Sequence, residues 1–461
     1  MDASVYQQLL LENQQLREQN ARLQETIRDL QRRLDEAERA AKRQAAPFSK
    51  GEPKKNPKKP GRKKGKHHGN HGHREPPPPH IDETLEAPLP EHCPDCGGDI
   101  VEDHVDQQYQ TEIPRQPLGR QFQIHCGHCQ SCGKPVRGRH PLQTSDATGA
   151  AQSQLGADAQ ATVVYLNKRA GMSCGKIADT FDKVFGITLT RGACAQIVLR
   201  AAEKLQPAYE QIREHLKSSQ HLTPDETGWR IGGHPAWLHG WVGDDGATLY
   251  AIDPQRSADV LEKVIGIDWS GSMTHDGFSS YERFENAAHQ QCVDHALRRA
   301  RGLLEKQTGA ARIFPQQVID LLTDALKQRD RFHDAQLDDA QVDERRRSRA
   351  YENYVQRLRD LTERSRLNEA NARFAKHLYN HAGSWFLFLV DSTIPATNHR
   401  AEQALKTPIV NRKVWGGNRT DAGGVAQAIT CSVLQTCQKK AIDVLSYLSN
   451  AFRGVLGNLF A

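Results

Sequence analysis

Three acidic residues lie where the local pattern of the sequence would let their carboxylates do chemistry. Asp225 belongs to a predicted strand over residues 221–230, and Asp276 comes just beyond the end of another predicted strand, over residues 271–274. Glu402 lies in the first or second turn of a predicted helix that begins after Pro395. Carboxylate oxygens are the ligands that hard cations such as Mg²⁺ prefer. A single acid is usually a solvated surface charge, so these three predict a metal site only if the fold brings them together.

The two neighbours of Asp225 limit how that residue can be used. Successive side chains of a strand point to opposite faces, so only one of Asp225 and Glu226 can share a site with the other acids. Pro224 has no N–H to donate to a neighbouring strand. We therefore interpret Pro224 as marking the end of the strand.

Two Cys-x-x-Cys-Gly sequences predict a structural zinc site. Two thiols at this spacing can reach one ion, and the glycine permits the positive φ that points backbone amides at the sulfurs. A zinc-ribbon-like module is predicted over residues 83–142, with a strand at 109–113. Cys126 and nearby histidines remain alternatives for one ligand. The four preferred ligands are Cys93, Cys96, Cys129 and Cys132.

The first 45 residues carry a heptad pattern. Leu9, Leu16, Leu23 and Leu30 are spaced seven residues apart, with a second core column between them. Such a column forms an apolar seam that is buried when a second helix packs on it. A coiled coil over residues 1–45, and through it self-association, is therefore predicted. The alternative is a lone amphipathic helix that folds back on its own protein.

A basic flexible linker is predicted over residues 46–82. The chain carries 62 Lys and Arg against 56 Asp and Glu, a net charge of +6, and residues 50–74 alone hold ten of the basic residues. A segment of this composition does not fold alone, and its charge suits DNA phosphates. A merely solvated linker is the alternative. The predicted DNA contacts here are Lys58, Lys59, Arg62, Lys63 and Lys64.

A helical domain resembling a helix-turn-helix is predicted over residues 143–215. Ser173 is suited to cap one helix, Gly186 to end it, and Thr190 to begin the next. The second helix could enter a DNA major groove, with Arg191 facing outward. A plain helical hairpin within a larger core is the equally weighted alternative.

The pattern from residue 216 to residue 407 is mixed α/β. Three strands, a helix, a strand, a helix and a further strand predict a ribonuclease H-like domain, with a helical insertion at about 300–380. Cys292 and His295 could be metal ligands, although core packing is the preferred interpretation. Residues 408–461 are predicted as a basic loop followed by helices. Arg412, Lys413 and Arg419 of that loop are candidate DNA contacts.

Composition excludes several classes of protein. Hydrophobic residues make up 37% of the 461 residues, and mean hydropathy is −0.71, so part of the chain must lie outside a core. No apolar run approaches the roughly 18 residues of a membrane span, and no secretory signal is predicted. Ten cysteines, five of them within residues 93–132, indicate metal binding in a reducing cytoplasm rather than a disulfide scaffold.

Four short motifs resemble, in order and spacing, the transposases of insertion-sequence family 66. They are Asp225-Glu226-Thr227-x-Trp229, Asp276-Gly277-x-x-x-Tyr281, Cys292-x-x-His295-x-x-Arg298 and Asn398-x-x-x-Glu402-x-x-Leu405. The resemblance extends to the heptad pattern of residues 1–45, to the basic arm within residues 46–82 and to the two Cys-x-x-Cys-Gly sequences. Gln403 departs from it, since arginine is usual there, and a possible phosphate contact is lost.

The resemblance implies a DDE recombinase that acts on double-stranded DNA at the ends of its own mobile element and at a target. Asp225, Asp276 and Glu402 would be its catalytic residues and would hold two Mg²⁺ or Mn²⁺ ions. A bacterial cytoplasmic protein, associated with the nucleoid when bound to DNA, is implied as well, together with helper proteins of the same element. The competing hypothesis is a non-catalytic, zinc-containing DNA-binding protein derived from such an enzyme.

Overall fold

A computed structural model describes residues 14–27, 30–31, 80–109, 113, 117–147, 154–337, 344–363 and 368–460. Residues 14–27 form helix α1. Leu16, Leu23 and Ile27 are each more than half exposed along it, so the heptad column forms an apolar row on the surface. Leu9 and the predicted DNA contacts Lys58, Lys59, Arg62, Lys63 and Lys64 lie outside the described residues.

The cysteine module is the segment over residues 83–142. Within its described residues it contains one small antiparallel hairpin, formed by β1 (Cys126–His128) and β2 (Pro135–Arg137). The predicted strand at 109–113 is wrong at both ends, because Tyr109 and Ile113 lie in irregular backbone; residues 110–112 are outside the described residues. The hairpin instead forms around the second cysteine pair, where Gly133 supplies the positive φ of the turn.

Three helices follow: α2 (Ala157–Lys168), α3 (Cys174–Phe185) and α4 (Arg191–Lys217). The predicted caps are confirmed, since Ser173 accepts a hydrogen bond from the Lys176 amide and Thr190 accepts one from the Ala193 amide. Gly186 ends α3 with φ +65°. These helices share one hydrophobic core with the sheet that follows. The hairpin-in-a-larger-core alternative is therefore favoured, and residue 215 is not a boundary between cores.

A five-stranded mixed sheet lies at the centre of the chain. Strands β3, β4 and β5 are antiparallel neighbours, and β6 and β7 extend the sheet in parallel from β3, in the order β5-β4-β3-β6-β7. Helix α5 (Ala258–Ile265) connects β5 to β6. The strands are β3 (His221–Ile231), β4 (His234–Gly243), β5 (Thr248–Asp253), β6 (Ser272–His275) and β7 (Ala288–Gln291).

The sequence-based interpretation that Pro224 marks the end of the strand is wrong for β3. The strand continues to Ile231 and pairs with β4 along its length, with Pro224 opposite Trp241. The parallel pairing with β6 covers only His221 and Leu222. Pro224 lies beyond that short pairing, so β6 has no ladder bond there for the missing N–H to break, and the β3–β4 register runs on through it.

A helical insertion separates the sheet from the helix that carries Glu402. It begins at residue 293, a little earlier than predicted, and has a second hydrophobic core of its own. Its helices are α6 (Val293–Lys306), α7 (Ile313–Leu337), α8 (Glu344–Glu363), α9 (Glu369–Asn380) and the short α10 (Leu387–Val390).

The C-terminal part consists of α11 (His399–Trp415), α12 (Asp421–Lys439) and α13 (Val444–Arg453). The predicted basic loop is wrong over residues 411–415, because α11 continues to Trp415, and the predicted boundary at 407/408 falls inside this helix. The true loop begins at Gly416. Gly417 (φ +106°) must be glycine, since a Cβ there would lie 2.5 Å from the Arg230 carbonyl oxygen. No described helix is long and apolar enough to cross a membrane.

Candidate active site

Asp225 and Asp276 lie at one edge of the sheet on neighbouring parallel strands. The last paired residues of β3 and β6 are Leu222 and Met273. Each acid is three residues beyond that pair, so both carboxylates emerge where the two strands cease to pair. Asp276 Oδ1 accepts a hydrogen bond of 3.0 Å from the Phe278 amide, which holds the turn after β6.

Helix α11 brings Glu402 to the same edge. Ala401, Ala404 and Leu405 are buried against the sheet, and Leu405 packs over Gly240, the residue that pairs with Asp225. The Tyr250 hydroxyl donates a hydrogen bond of 2.6 Å to the Ala404 carbonyl. These contacts fix the first turn of the helix, where Glu402 lies, against β3 and β4.

The electrostatics of Asp225 reflect this convergence. Burial has the largest effect on the pKa of Asp225, and the negative charges of Glu226, Asp276 and Glu402 follow in that order; together they raise it to about 7. A carboxylate surrounded by like charges is stable only when a proton or a cation neutralises it. Asp225 is therefore short of positive charge, whereas Glu226 and Glu402 are each paired with an arginine.

The three carboxylates match the oxygen donors that hard cations prefer. Their spacing does not, because no three His, Cys, Asp or Glu side chains of the described ranges lie close enough to hold an ion. Glu402 Oε1 is instead bound by the Arg298 guanidinium. Donor chemistry and charge therefore fit divalent cations, whereas Glu402 is engaged by Arg298 in this structure.

Glu226 is used differently from its neighbour. Its side chain is 2% exposed. The carboxylate accepts a hydrogen bond of 2.8 Å from Arg256 Nε and one of 2.6 Å from the Tyr281 hydroxyl. Arg256 in turn lies over the rings of Trp237 and Phe278. Glu226 is therefore fully engaged in a structural network beside Asp225.

Two histidines support the turn that carries Asp276. His289 Nε2 lies 3.0 Å from the Phe284 carbonyl, and its Nδ1 lies 3.1 Å from His275 Nε2. The Gly277 amide donates to His275 Nδ1 at 3.1 Å. One neutral tautomer of each ring satisfies all three contacts, since each ring then donates through Nε2 and accepts through Nδ1. Burial lowers the pKa of His275 to about 3, which is consistent with a neutral ring.

Cys292 lies in the core, as preferred from the sequence. It is 1% exposed, and its thiol donates to Asn398 Oδ1 at 3.1 Å. Asn398 is the residue before α11, so this contact joins the start of α6 to the start of the Glu402 helix. The core-packing interpretation is wrong for His295: it lies in the first turn of α6 with a side chain that is 34% exposed, and its Nε2 is 3.8 Å from the Glu402 carboxylate.

The two cysteine pairs have the same local geometry. The Cys93 amide donates to the Gly98 carbonyl at 2.9 Å, and the Cys129 amide donates to the Lys134 carbonyl at 2.9 Å. Gly97 and Gly133 have φ +71° and +68°. Hydrogen bonds from the backbone that follows lower the pKa of Cys93 and of Cys129. The two pairs thus share one local geometry, but among the described residues their four thiols are not brought together into one group of ligands. The four residues are Cys93, Cys96, Cys129 and Cys132.

The predicted DNA contacts differ in availability. Arg191, Lys413 and Arg419 are exposed. Arg412 is half-buried and donates to the Gly228 carbonyl and the Thr227 hydroxyl, so it pins α11 to β3. Arg412 is therefore less available to DNA than the sequence suggested.

Arg298, Arg256 and Tyr281 are residues of the site to which the sequence assigned no role. Arg298 and Tyr281 were visible as members of the short motifs, but their partners lie 104 and 55 residues away in the chain. Arg256 belonged to no motif. Periodicity does not report pairings of that kind, because they depend on how the helices pack on the sheet.

Comparison with known proteins identifies the family. The model of the IS66 transposase family matches residues 152–426, which include all three acids. Two uncharacterised proteins of Sinorhizobium fredii (strain NBRC 101917 / NGR234), y4jD and y4hP, are each 22% identical to this chain, over 59% and 82% of its length. The chain covers 57% of y4jD and 73% of y4hP. Since the family model spans more than half of the sequence, the chain belongs to the IS66 family of transposases.

Proposed function

We propose that this protein is a DDE transposase that cuts DNA at the ends of its insertion sequence and joins the free 3′-hydroxyl to target DNA. The observation that carries the proposal is the matched position of Asp225 and Asp276, three residues beyond the last β3–β6 pair. The contribution of Glu402 to the raised pKa of Asp225 supports its membership of the same site. The strand order is consistent with a ribonuclease H-like core.

The chemistry is in-line displacement at a phosphate. Water is the nucleophile when DNA is nicked, and the 3′-hydroxyl is the nucleophile when strands are joined, so one site serves both steps. Divalent cations at such a site activate the attacking oxygen and stabilise the leaving oxygen. Asp225, Asp276 and Glu402 would hold them, while Glu226, with Arg256 and Tyr281, keeps β3 in place. No covalent link between protein and DNA is required.

DNA and a second subunit are the proposed partners. The exposed Arg191, Lys413 and Arg419, together with the basic arm, are suited to backbone phosphates. The apolar row on α1 is suited to pair with another copy of the helix. The shared geometry of the cysteine pairs supports a structural zinc bound by Cys93, Cys96, Cys129 and Cys132. Helper proteins encoded by the same element are proposed as further partners.

A strand-joining assay tests the proposal. Purified protein, Mg²⁺ and DNA carrying the element ends should give joined product, and Glu402→Gln should abolish it. Glu369→Gln is a matched control, because Glu369 also lies in the first turn of a helix and pairs with an arginine, Arg373. Equal product from wild type and Glu402→Gln would contradict the role of Glu402.

The alternative is a non-catalytic, zinc-containing DNA-binding protein. The observation in its favour is that Asp225, Asp276 and Glu402 do not form a group of potential ligands among the described side chains. Under this alternative, wild type and Glu402→Gln bind DNA equally in a salt-dependent way, and neither cleaves it in Mg²⁺ or Mn²⁺.

A further inference from the structure

Arg298 occupies the position at Glu402 where the proposed function requires a cation. Its Nη2 binds Glu402 Oε1, its Nε donates to Asp294 Oδ2 at 3.1 Å, and Nη2 also lies 3.3 Å from His295 Nε2. Because arginine only donates hydrogen bonds, His295 Nε2 must be the acceptor here. One guanidinium thus bridges three side chains, two of them on its own helix and the third on α11.

The ion pair between Arg298 and Glu402 can be replaced by other contacts at little cost in folding stability. The side chains are 51% and 34% exposed, and ion pairs in water-accessible positions contribute little to folding stability. Arg298 would keep Asp294 and His295 after losing Glu402, since both lie within one turn of it on α6. The guanidinium would therefore stay beside the site with its outer N–H groups free.

A DNA phosphate is a suitable ligand for the N–H groups that Arg298 would release from Glu402. Arginine presents a planar fork of donors that matches two oxygens of a phosphate. The proposed function brings the reacting DNA phosphate to the acids at this edge of the sheet, within reach of the side chain that contacts Glu402.

We infer that Arg298 is an exchangeable cation of the active site: it neutralises Glu402 in the empty site and passes to a DNA phosphate when Glu402 takes up a divalent cation. This inference rests on the proposed function. Arg298 is then a substrate-binding residue whose contribution to DNA binding depends on the divalent cation.

Metal binding without DNA is the first test. Mn²⁺ bound by the full chain is counted by electron paramagnetic resonance, and only the Mn²⁺ lost on Asp225→Asn is assigned to the site. Arg298→Gln should bind this Mn²⁺ about twofold to fivefold more tightly than wild type, because the competing cation is gone. Arg301→Gln, an exposed arginine of the same helix, is the matched control and should leave the affinity unchanged.

DNA binding is the second test. The dependence of duplex-DNA affinity on salt is measured with and without Ca²⁺, a hard cation that also takes carboxylate ligands. Arg298→Gln should lower the salt slope by about 0.9, the value of one phosphate contact, only when Ca²⁺ is present.

Three outcomes would overturn the inference. Unchanged Mn²⁺ affinity in Arg298→Gln shows that Arg298 does not compete for Glu402. An equal loss of salt slope with and without Ca²⁺ shows a DNA contact that is independent of Glu402. If neither Asp225→Asn nor Glu402→Gln removes any Mn²⁺, from wild type or from Arg298→Gln, the proposed metal site itself is wrong and the inference falls with it.

Discussion

The hydroxyl of Tyr281 donates a hydrogen bond of 2.6 Å to the carboxylate of Glu226, and both side chains are almost completely buried. This contact joins the turn after Asp276 to the strand of Asp225, so it links the segments that carry two of the three acids. The other partner of the Glu226 carboxylate is Arg256, whose guanidinium supplies the positive charge.

Tyr281→Phe should destabilise the protein without changing its shape. Phenylalanine fills the same space but leaves a buried carboxylate without one donor, so the free energy of unfolding should fall by about 1.5–3 kcal/mol. Urea denaturation followed by circular dichroism measures the change. Tyr379→Phe, at a tyrosine that is 45% exposed, is the control and should have almost no effect. A similar small effect in both variants would mean that Tyr281 does not stabilise Glu226.

Cys174 should be the most reactive cysteine of the α2–α4 region. A hydrogen bond from Cys194 lowers the pKa of Cys174 to about 6, so at pH 7 it is mostly the nucleophilic thiolate. Its rate of alkylation by iodoacetamide should rise with pH through about 6 and level off above pH 7. Mass spectrometry of individual peptides separates it from other cysteines.

Cys194→Ala removes the hydrogen bond that stabilises this thiolate. The pKa of Cys174 should then rise toward its ordinary value, and alkylation at pH 7 should slow by about tenfold. Buried Cys292, whose pKa is raised by burial, is an internal control that should stay unmodified. A rate for Cys174 that keeps climbing up to pH 9 in the wild type would contradict the lowered pKa.

The cysteine module should contain one zinc ion per chain. Cys129→Ser should lose it, because a serine hydroxyl does not replace a thiolate ligand. Cys126→Ser should keep it, since Cys126 begins β1 and lacks a following knuckle of the kind made by Cys129 and Gly133. Elemental analysis of the purified protein measures both. Loss of zinc from Cys126→Ser alone would exchange the roles of these two cysteines.

The heptad helix should hold two copies of the chain together. Leu23→Lys places a charge in the apolar row and should reduce the mass measured by light scattering to that of one chain. Glu25→Lys introduces the same residue on the outer side of the helix and should leave the assembly intact. A wild-type protein that is already a single chain at micromolar concentration would show that α1 packs elsewhere.

Local features of this chain could be predicted from the sequence because they depend on residues a few positions apart. The caps at Ser173 and Thr190 are hydrogen bonds to an amide three residues on, and the Cys-x-x-Cys-Gly turns close within six residues. The sequence likewise predicted three strands ahead of a helix in this region, which the structure shows as β3, β4 and β5.

Only the tertiary structure decided how those elements are used. Pro224 was compatible with a strand that continues, because β6 pairs with β3 for just two residues. The length of that pairing cannot be predicted from a local sequence pattern. Arg412 was basic and near the site, yet the packing of α11 directs it to β3 instead of to solvent. The pairing of Arg298 with Glu402 likewise depends on where α6 and α11 meet. Local sequence sets which groups are available, whereas the packing of helices on the sheet sets which of them touch.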